Sequence, residues 1–241
     1  MKKIILFSLL VVTQASADMA VDLLKASDRA RGQLEKGVSW RIEVETTEEG
    51  ETSKREFSVK ASGGDAYVEA IAPARNKGEI YLFNDRTMWF FKPSLKKPVA
   101  ISARQKLVGQ AANGDIASTN YARDYTPTIE GVENINGEKV HVLMLKAKAD
   151  NLTYDKIRYW VSDKTKRGIK AEFLTLQGKP FKRATLEYKN KIKIDGKSLD
   201  FVSEMTIVDA QFANDRSTIR YFEPKAATHP KNLFSVNNLS R

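Results

Sequence analysis

Gly78-Glu79-Ile80-Tyr81-Leu82-Phe83-Asn84-Asp85-Arg86-Thr87-Met88-Trp89-Phe90-Phe91-Lys92-Pro93 is the stretch whose reading decides the fold. Two apolar runs, residues 80–83 and 88–91, flank Asn84-Asp85-Arg86-Thr87. Asn and Asp tolerate the tight backbone of a turn, so the segment reads as a β-hairpin. Both faces of both strands are apolar or aromatic. An antiparallel strand with one wet face alternates apolar with polar, so this hairpin is either covered on two sides or lines an apolar space. Ordinary core against apolar cavity is therefore the functional question.

A period of two continues on either side. Val38, Trp40, Ile42 and Val44 alternate with Ser39, Arg41, Glu43 and Glu45, and Phe57, Val59 and Ala61 alternate with Glu56, Ser58 and Lys60. Further candidate strands cover 139–146, 154–162, 169–176, 180–188, 199–208 and 217–222. Asn136-Gly137, Asp163-Lys164, Gln177-Gly178, Asp195-Gly196 and Asn214-Asp215 punctuate them. The spacing predicts a mainly β chain with one antiparallel sheet of about ten or eleven strands. A sheet that wide usually curls.

One substantial helix is expected over 18–36. Met19, Leu23, Ala26, Ala30 and Leu34 form its apolar stripe, Asp22, Lys25, Asp28 and Arg31 sit between them, and Gly37 stops it. The least strand-like region is 94–125. It contains a possible short helix over 102–112 carrying Leu107 and Val108, then a polar tract over 113–121. Such a segment is a lid or binding loop on one reading and a solvated connection on the other.

Ahead of the helix, Met1-Lys2-Lys3, an apolar run too short to span a bilayer and Ala15-Ser16-Ala17 give the order of a secretory signal. Residues 1–17 are read as a signal peptide cleaved after Ala17, and 18–241 as a single domain. The 241 residues include no cysteine, which excludes disulfides, thiolate metal sites and an acylated cysteine anchor. An exported, soluble, monomeric protein is expected. Removing Lys2 and Lys3 from 40 basic residues leaves 38 against 30 acidic ones, a formal charge of +8. For an exported chain such a charge points to anionic lipid head groups or an acidic protein surface and not to nucleic acid.

No catalytic constellation accompanies these features. His141 lies in a strand and His229 in a Pro-flanked tail, without Ser-His-Asp or His-x-x-x-His spacing, so both read as structural. Glycine-rich phosphate loops are absent, and acidic pairs such as Glu48-Glu49 fall in hydrophilic turns. No enzyme activity, cofactor or metal is expected.

The order of motifs resembles the LolA-like outer-membrane lipoprotein-sorting family, in its broader LolA/LolB-like periplasmic group more than in the classical carrier. The resemblance rests on Met88-Trp89-Phe90-Phe91-Lys92-Pro93 with Leu95-Lys96-Lys97, and on Gly114-Asp115-Ile116 with Asp124-Tyr125. Ile135-Asn136-Gly137-Glu138-Lys139, Tyr159-Trp160-Val161-Ser162-Asp163, Gly178-Lys179-Pro180-Phe181-Lys182, Ile194-Asp195-Gly196-Lys197 and Leu233-Phe234 complete the series. The chain departs from the family pattern at Gly168, where a proline is usual, and at Ile116, where an aromatic is customary.

The resemblance implies an incomplete antiparallel β-barrel with an N-terminal helix and short lid helices, whose apolar concave face holds acyl chains in the periplasm. Acylated lipoprotein or lipid is the implied cargo, and an inner-membrane transporter and outer-membrane acceptor are the implied partners. Two other roles stay open: a non-catalytic accessory module docking on an envelope lipid transporter, and, less favoured, an enzyme on a hydrophobic substrate. Trp40, Leu82, Met88, Phe90, Met144, Tyr159 and Phe173 are expected to line the concave face, with Leu107 and Val108 closing over it. Lys92, Lys96, Lys97, Arg104 and Lys106 form a basic cluster, read as solvated loop charge or as a membrane or partner docking surface.

Overall fold

In the computed structural model the described residues are 5–84, 86–117 and 120–239, with side chains from residue 16 onward. Residues 1–4 of the expected signal segment, its side chains up to residue 15, Asp85 of the expected turn and residues 118–119 of the polar tract lie outside that description.

Helix α1 (Ile5–Arg29) precedes β1 (Val38–Glu48), β2 (Glu51–Ser62), β3 (Asp65–Ala72), β4 (Ile80–Asn84), β5 (Thr87–Phe91) and β6 (Val99–Ile101). The connection to the second half holds β7 (Lys106–Val108), β8 (Ala111–Ala112) and the one-turn helix α2 (Tyr121–Asp124). Then come β9 (Tyr125–Ile135), β10 (Glu138–Ala147), β11 (Lys156–Ser162), β12 (Gly168–Leu174) and β13 (Pro180–Glu187). The chain ends with β14 (Asn190–Ile194), β15 (Lys197–Phe201), β16 (Glu204–Asp209), β17 (Arg216–Ala226) and a covering segment of two short 3-10 turns, Lys231–Phe234 and Val236–Asn238.

Thirteen strands form one antiparallel sheet in the order β6-β5-β4-β3-β2-β1-β17-β16-β13-β12-β11-β10-β9, while β14-β15 and β7-β8 stand as separate pairs. The sheet is open, since β6 and β9 do not pair with each other. This is the mainly β half-barrel that the sequence implies, two or three strands wider than expected. The inner positions of β1 to β5, β10 to β13, β16 and β17 belong to one continuous buried cluster, together with Ala20, Leu23 and Leu24 of α1. Such a shared core requires the sheet to curl around the helix.

The hairpin is covered on both sides. Tyr81 and Met88 are buried in the main core with Phe83 and Phe90 packed against it, whereas Leu82 lies in a second cluster with Phe234 and Leu239, against which Ile80, Trp89, Phe91 and Tyr67 pack. The C-terminal segment therefore seals the outer face, and the period of two divides the hairpin between two cores.

Two expectations for the helices are corrected. Helix α1 stops at Arg29 and not at residue 36; Gly32, at φ 101°, turns the chain there, and Arg31 N–H bonds to the Asp28 carbonyl at 3.0 Å. Its buried face is wider than expected: Leu23, Ala30 and Leu34 of the expected stripe are buried, but so are Leu24, Ser27, Asp28 and Arg31, spaced three and four apart, while Met19 is 42% exposed. Polar partners inside the barrel override the simple apolar count. The expected helix over 102–112 is a strand pair instead. Gly109 has φ 53°, and a Cβ there would sit 1.6 Å from Thr46 Oγ1. Gln110 donates its N–H to Ser217 Oγ (2.8 Å) and its carbonyl accepts from Lys182 Nζ (2.7 Å), so helical hydrogen bonding is unavailable.

Candidate functional site

The concave face and the segments that close it, residues 102–117 and 120–124, form the candidate site. Among the sequence-derived lining residues, Trp40, Met88, Tyr159 and Phe173 are buried in the main core, and Phe90, Leu107 and Val108 pack against it. Leu82 and Met144 are corrections. Leu82 points outward beneath Phe234, and Met144 has the wrong parity on β10, where Leu143 and Leu145 point inward and Val140 and Val142 outward. A shift of one residue moves a strand's side chain to the opposite face, so these two have no place on the concave surface.

Aromatic contacts tie the wall together. Tyr81 packs against Phe90 at 5.1 Å between ring centroids, Trp40 meets Phe201 edge-on at 5.6 Å, and Tyr154 stacks on Phe173 at 3.8 Å. The closing segment adds residues that periodicity could not find. Ile116 is 1% exposed and Tyr121 8%, and the Tyr121 ring lies 5.4 Å from that of Tyr159. The only sequence signal for them is the Gly114-Asp115-Ile116 motif. Gly114 is required there, because a Cβ would lie 2.0 Å from Thr153 Oγ1.

Polar groups hold this cover in place. Asp28 Oδ2 accepts the Ala122 N–H at 2.8 Å, joining α1 to α2. Asp115 Oδ2 accepts from the Ala112 N–H and the Tyr154 hydroxyl, both at 2.8 Å. Burial dominates both carboxyls: Asp28 is pushed up to about 7, and Asp115 is raised. Burial likewise lowers Lys182. Arg31, 5% exposed, reaches Met205 Sδ at 3.6 Å and lies over the Tyr121 ring at 5.2 Å. Ser27 Oγ meets the Tyr159 hydroxyl at 2.8 Å and accepts the Gly168 N–H at 3.1 Å.

Gly168, the departure from the usual proline, has its own reason. A Cβ there would lie 1.8 Å from the Tyr159 hydroxyl, its N–H is engaged by Ser27, and its carbonyl accepts the Tyr188 hydroxyl at 2.8 Å. Proline would lose the donor and collide with the ring.

Across the open side, side chains bridge the two halves of the sheet. Arg86 pairs with Asp124 at 3.2 Å and its carbonyl accepts from Asn151 at 3.0 Å, while Arg104 pairs with Asp155 at 2.6 Å. A cavity of about 60 Å³ remains beside them, lined by Phe83, Ala103, Asp115, Tyr121, Leu152 and Tyr154. That is room for a few waters and not for an acyl chain. In this state the concave face is filled by the protein's own side chains.

The basic cluster divides. Arg104 is engaged with Asp155 and Lys106 with Glu48, whereas Lys92, Lys96 and Lys97 are exposed. The histidines are structural contacts: His141 Nε2 pairs with Asp163 at 2.6 Å, and His229 Nε2 lies 3.2 Å from both Ser39 Oγ and the Val38 carbonyl. Among the described residues no group of three His, Asp or Glu is placed to hold a metal.

A sequence-family profile described as "Uncharacterized protein" matches residues 63–241. Among solved structures, the chain is similar to a LolA superfamily protein from Nitrosomonas europaea, with 28% identity, coverage of 90% of this chain and 97% of that one, and a TM-score of 0.80. It is also similar to a candidate outer membrane lipoprotein-sorting protein domain from Vibrio parahaemolyticus, with 21% identity, 93% and 100% coverage and a TM-score of 0.75. A DUF1329 family protein from Desulfovibrio piger gives 18% identity, 93% and 99% coverage and a TM-score of 0.75. The last two are likenesses of fold. No curated protein sequence matches the chain.

Proposed function

The chain belongs to the LolA-like family, and from that premise we propose that it is a non-catalytic carrier of the periplasm, exported by residues 1–17, that holds acyl chains of lipoproteins or lipids for transfer towards the outer membrane. The observation that carries this reading is the construction of the cover. The sheet does not close on itself; its apolar interior is closed by residues 102–117 and 120–124, fastened through Asp28, Asp115, Ser217, Lys182 and Arg104. Displacing that segment would expose Phe90, Tyr159 and Phe173 without breaking any pairing of the thirteen-stranded sheet.

An acyl chain entering that space gains about 0.8 kcal/mol per methylene, so a chain of about 16 carbons supplies roughly 12 kcal/mol before ordering costs. Opening the cover is offset from that sum, and release follows when a transporter or acceptor restores the closed packing. Retention of a fluorescent fatty acid by the wild type and by Phe90→Ser tests the role of this wall. The carrier reading expects retention to fall several-fold with the fold intact by circular dichroism; equal retention would remove Phe90 from the binding surface.

The filled interior favours a second reading, an accessory module that docks on an envelope lipid transporter with its apolar face permanently plugged. A protein that takes up no acyl probe under any condition would belong to that class.

A further inference from the structure

Among the described residues Arg31 is the one buried Lys or Arg, at 5% exposure. Half-buried arginines follow the usual rule and pair with acids: Arg55 Nη2 meets Glu79 Oε2 at 2.6 Å, and Arg167 Nη1 meets Asp200 Oδ2 at 3.0 Å. Arg31, deeper than either, forms no ion pair with a described carboxylate.

Its guanidinium presents five N–H donors to this interior. Nη2 reaches Met205 Sδ, a weak acceptor, at 3.6 Å, and Nε has no hydrogen-bond partner. The groups around it are neutral: the Tyr121 ring at 5.2 Å, and the hydroxyls of Tyr159, Tyr188 and Tyr221, which feel its charge. The carboxyls that its charge reaches, Asp28 and Asp115, are both spent on the cover. Asp28 Oδ2 accepts the Ala122 N–H, and Asp115 Oδ2 accepts from the Ala112 N–H and the Tyr154 hydroxyl. Burial favours the uncharged form of each.

Position matters as much as the missing counter-ion. Arg31 follows α1 and lies among three parts of the candidate site: Met205 of β16 in the main core, Tyr121 of the cover and, with its ring 5.4 Å from that of Tyr121, Tyr159 of the wall. Moving α2 away takes the Tyr121 ring off the guanidinium and leaves a cation facing the space that an acyl chain would enter. A planar guanidinium with free N–H groups in an apolar setting is a receptor for an oxyanion, which it grips through charge-assisted hydrogen bonds. An acyl group without a charged end leaves it unpaired.

We propose that Arg31 selects the cargo: when the cover moves, its guanidinium receives an oxyanion at the end of an acyl chain, so the ligand is an anionic amphiphile, a fatty carboxylate or a phosphate-headed lipid, in preference to a neutral one. This selectivity rests on the carrier reading and narrows its cargo.

Isothermal titration calorimetry of the purified protein with three probes of equal chain length, laurate, dodecyl phosphate and dodecanol, each below its micellar or solubility limit, tests the proposal. Wild type is expected to bind the anions on the order of tenfold more tightly than dodecanol, and the tighter of the two anions separates a carboxylate source from a phosphate one. Arg31→Met should bring both anions to the dodecanol level while dodecanol binds as before; a merely structural role would move all three probes together. Arg31→Gln should do the same, so the failure of one variant to fold does not leave the question open. Equal affinity of wild type for the three probes, or an anion preference that survives in a folded Arg31→Met or Arg31→Gln, would overturn the proposal and leave the carrier reading standing. No binding of any probe would overturn both.

Discussion

Asp28→Asn isolates the buried polar centre in one substitution. The Asp28 carboxyl is fully buried and, chiefly through desolvation, is pushed from the ordinary 3.8 to about 7 in the folded protein. The folded state therefore binds the proton more tightly than the unfolded chain, and folding stability falls as pH rises between those two values. At 1.36 kcal/mol per unit, the loss from Asp28 alone is about 4 kcal/mol, complete above about pH 7 and absent below about pH 4. Asparagine keeps an oxygen to accept the Ala122 N–H, now 2.8 Å away, and removes the titration. Urea unfolding of both proteins across this range is the assay, with the difference between them as the readout, since titrations common to both cancel. The variant should match wild type near pH 4 and exceed it progressively, approaching about 4 kcal/mol at pH 8. A difference that stays constant with pH would refute the burial and protonation assigned to Asp28.

Gly168→Ala places a Cβ 1.8 Å from the Tyr159 hydroxyl and should cost about 1–3 kcal/mol or more in chemical denaturation; an unchanged midpoint would contradict that close approach. Leu82→Ala, beneath Phe234 on the outer face, should cost about 2–5 kcal/mol of stability yet leave acyl retention unaltered in conditions where the variant stays folded. Arg104→Gln breaks a half-exposed pair with Asp155 worth up to about 1 kcal/mol, so hydrogen exchange in 102–117 should accelerate up to about fivefold while global stability hardly moves. Exchange at the wild-type rate would show that the pair does not hold the cover.

The sheet was legible because alternation survives in most strands: Val38, Trp40, Ile42 and Val44 are all buried, as their spacing requires. The hairpin over 80–91 was equally plain, but which of its faces was inner was not. Both faces are apolar, and the division depends on the C-terminal Phe234 and Leu239, about 150 residues away in sequence, which no local pattern reveals. Met144 was misplaced for the same reason, since a nearly continuous apolar strand carries no parity signal. Asp28 and Arg31 read as solvated because charged residues seldom point into a core; tyrosines and a backbone N–H supplied by distant elements make their burial tolerable. The closing segment was recognised as irregular, yet its deepest residues, Ile116 and Tyr121, lie outside any periodic element.

The central claim is that the concave face accepts an acyl chain when its cover moves. Native mass spectrometry of the protein purified from a periplasm without detergent, followed by organic extraction and lipid analysis, tests it most directly. The account predicts reproducible adducts of acyl-chain mass that extraction identifies as lipid or lipoprotein. A clean unliganded mass that does not shift on adding lipid or lipopeptide would contradict it.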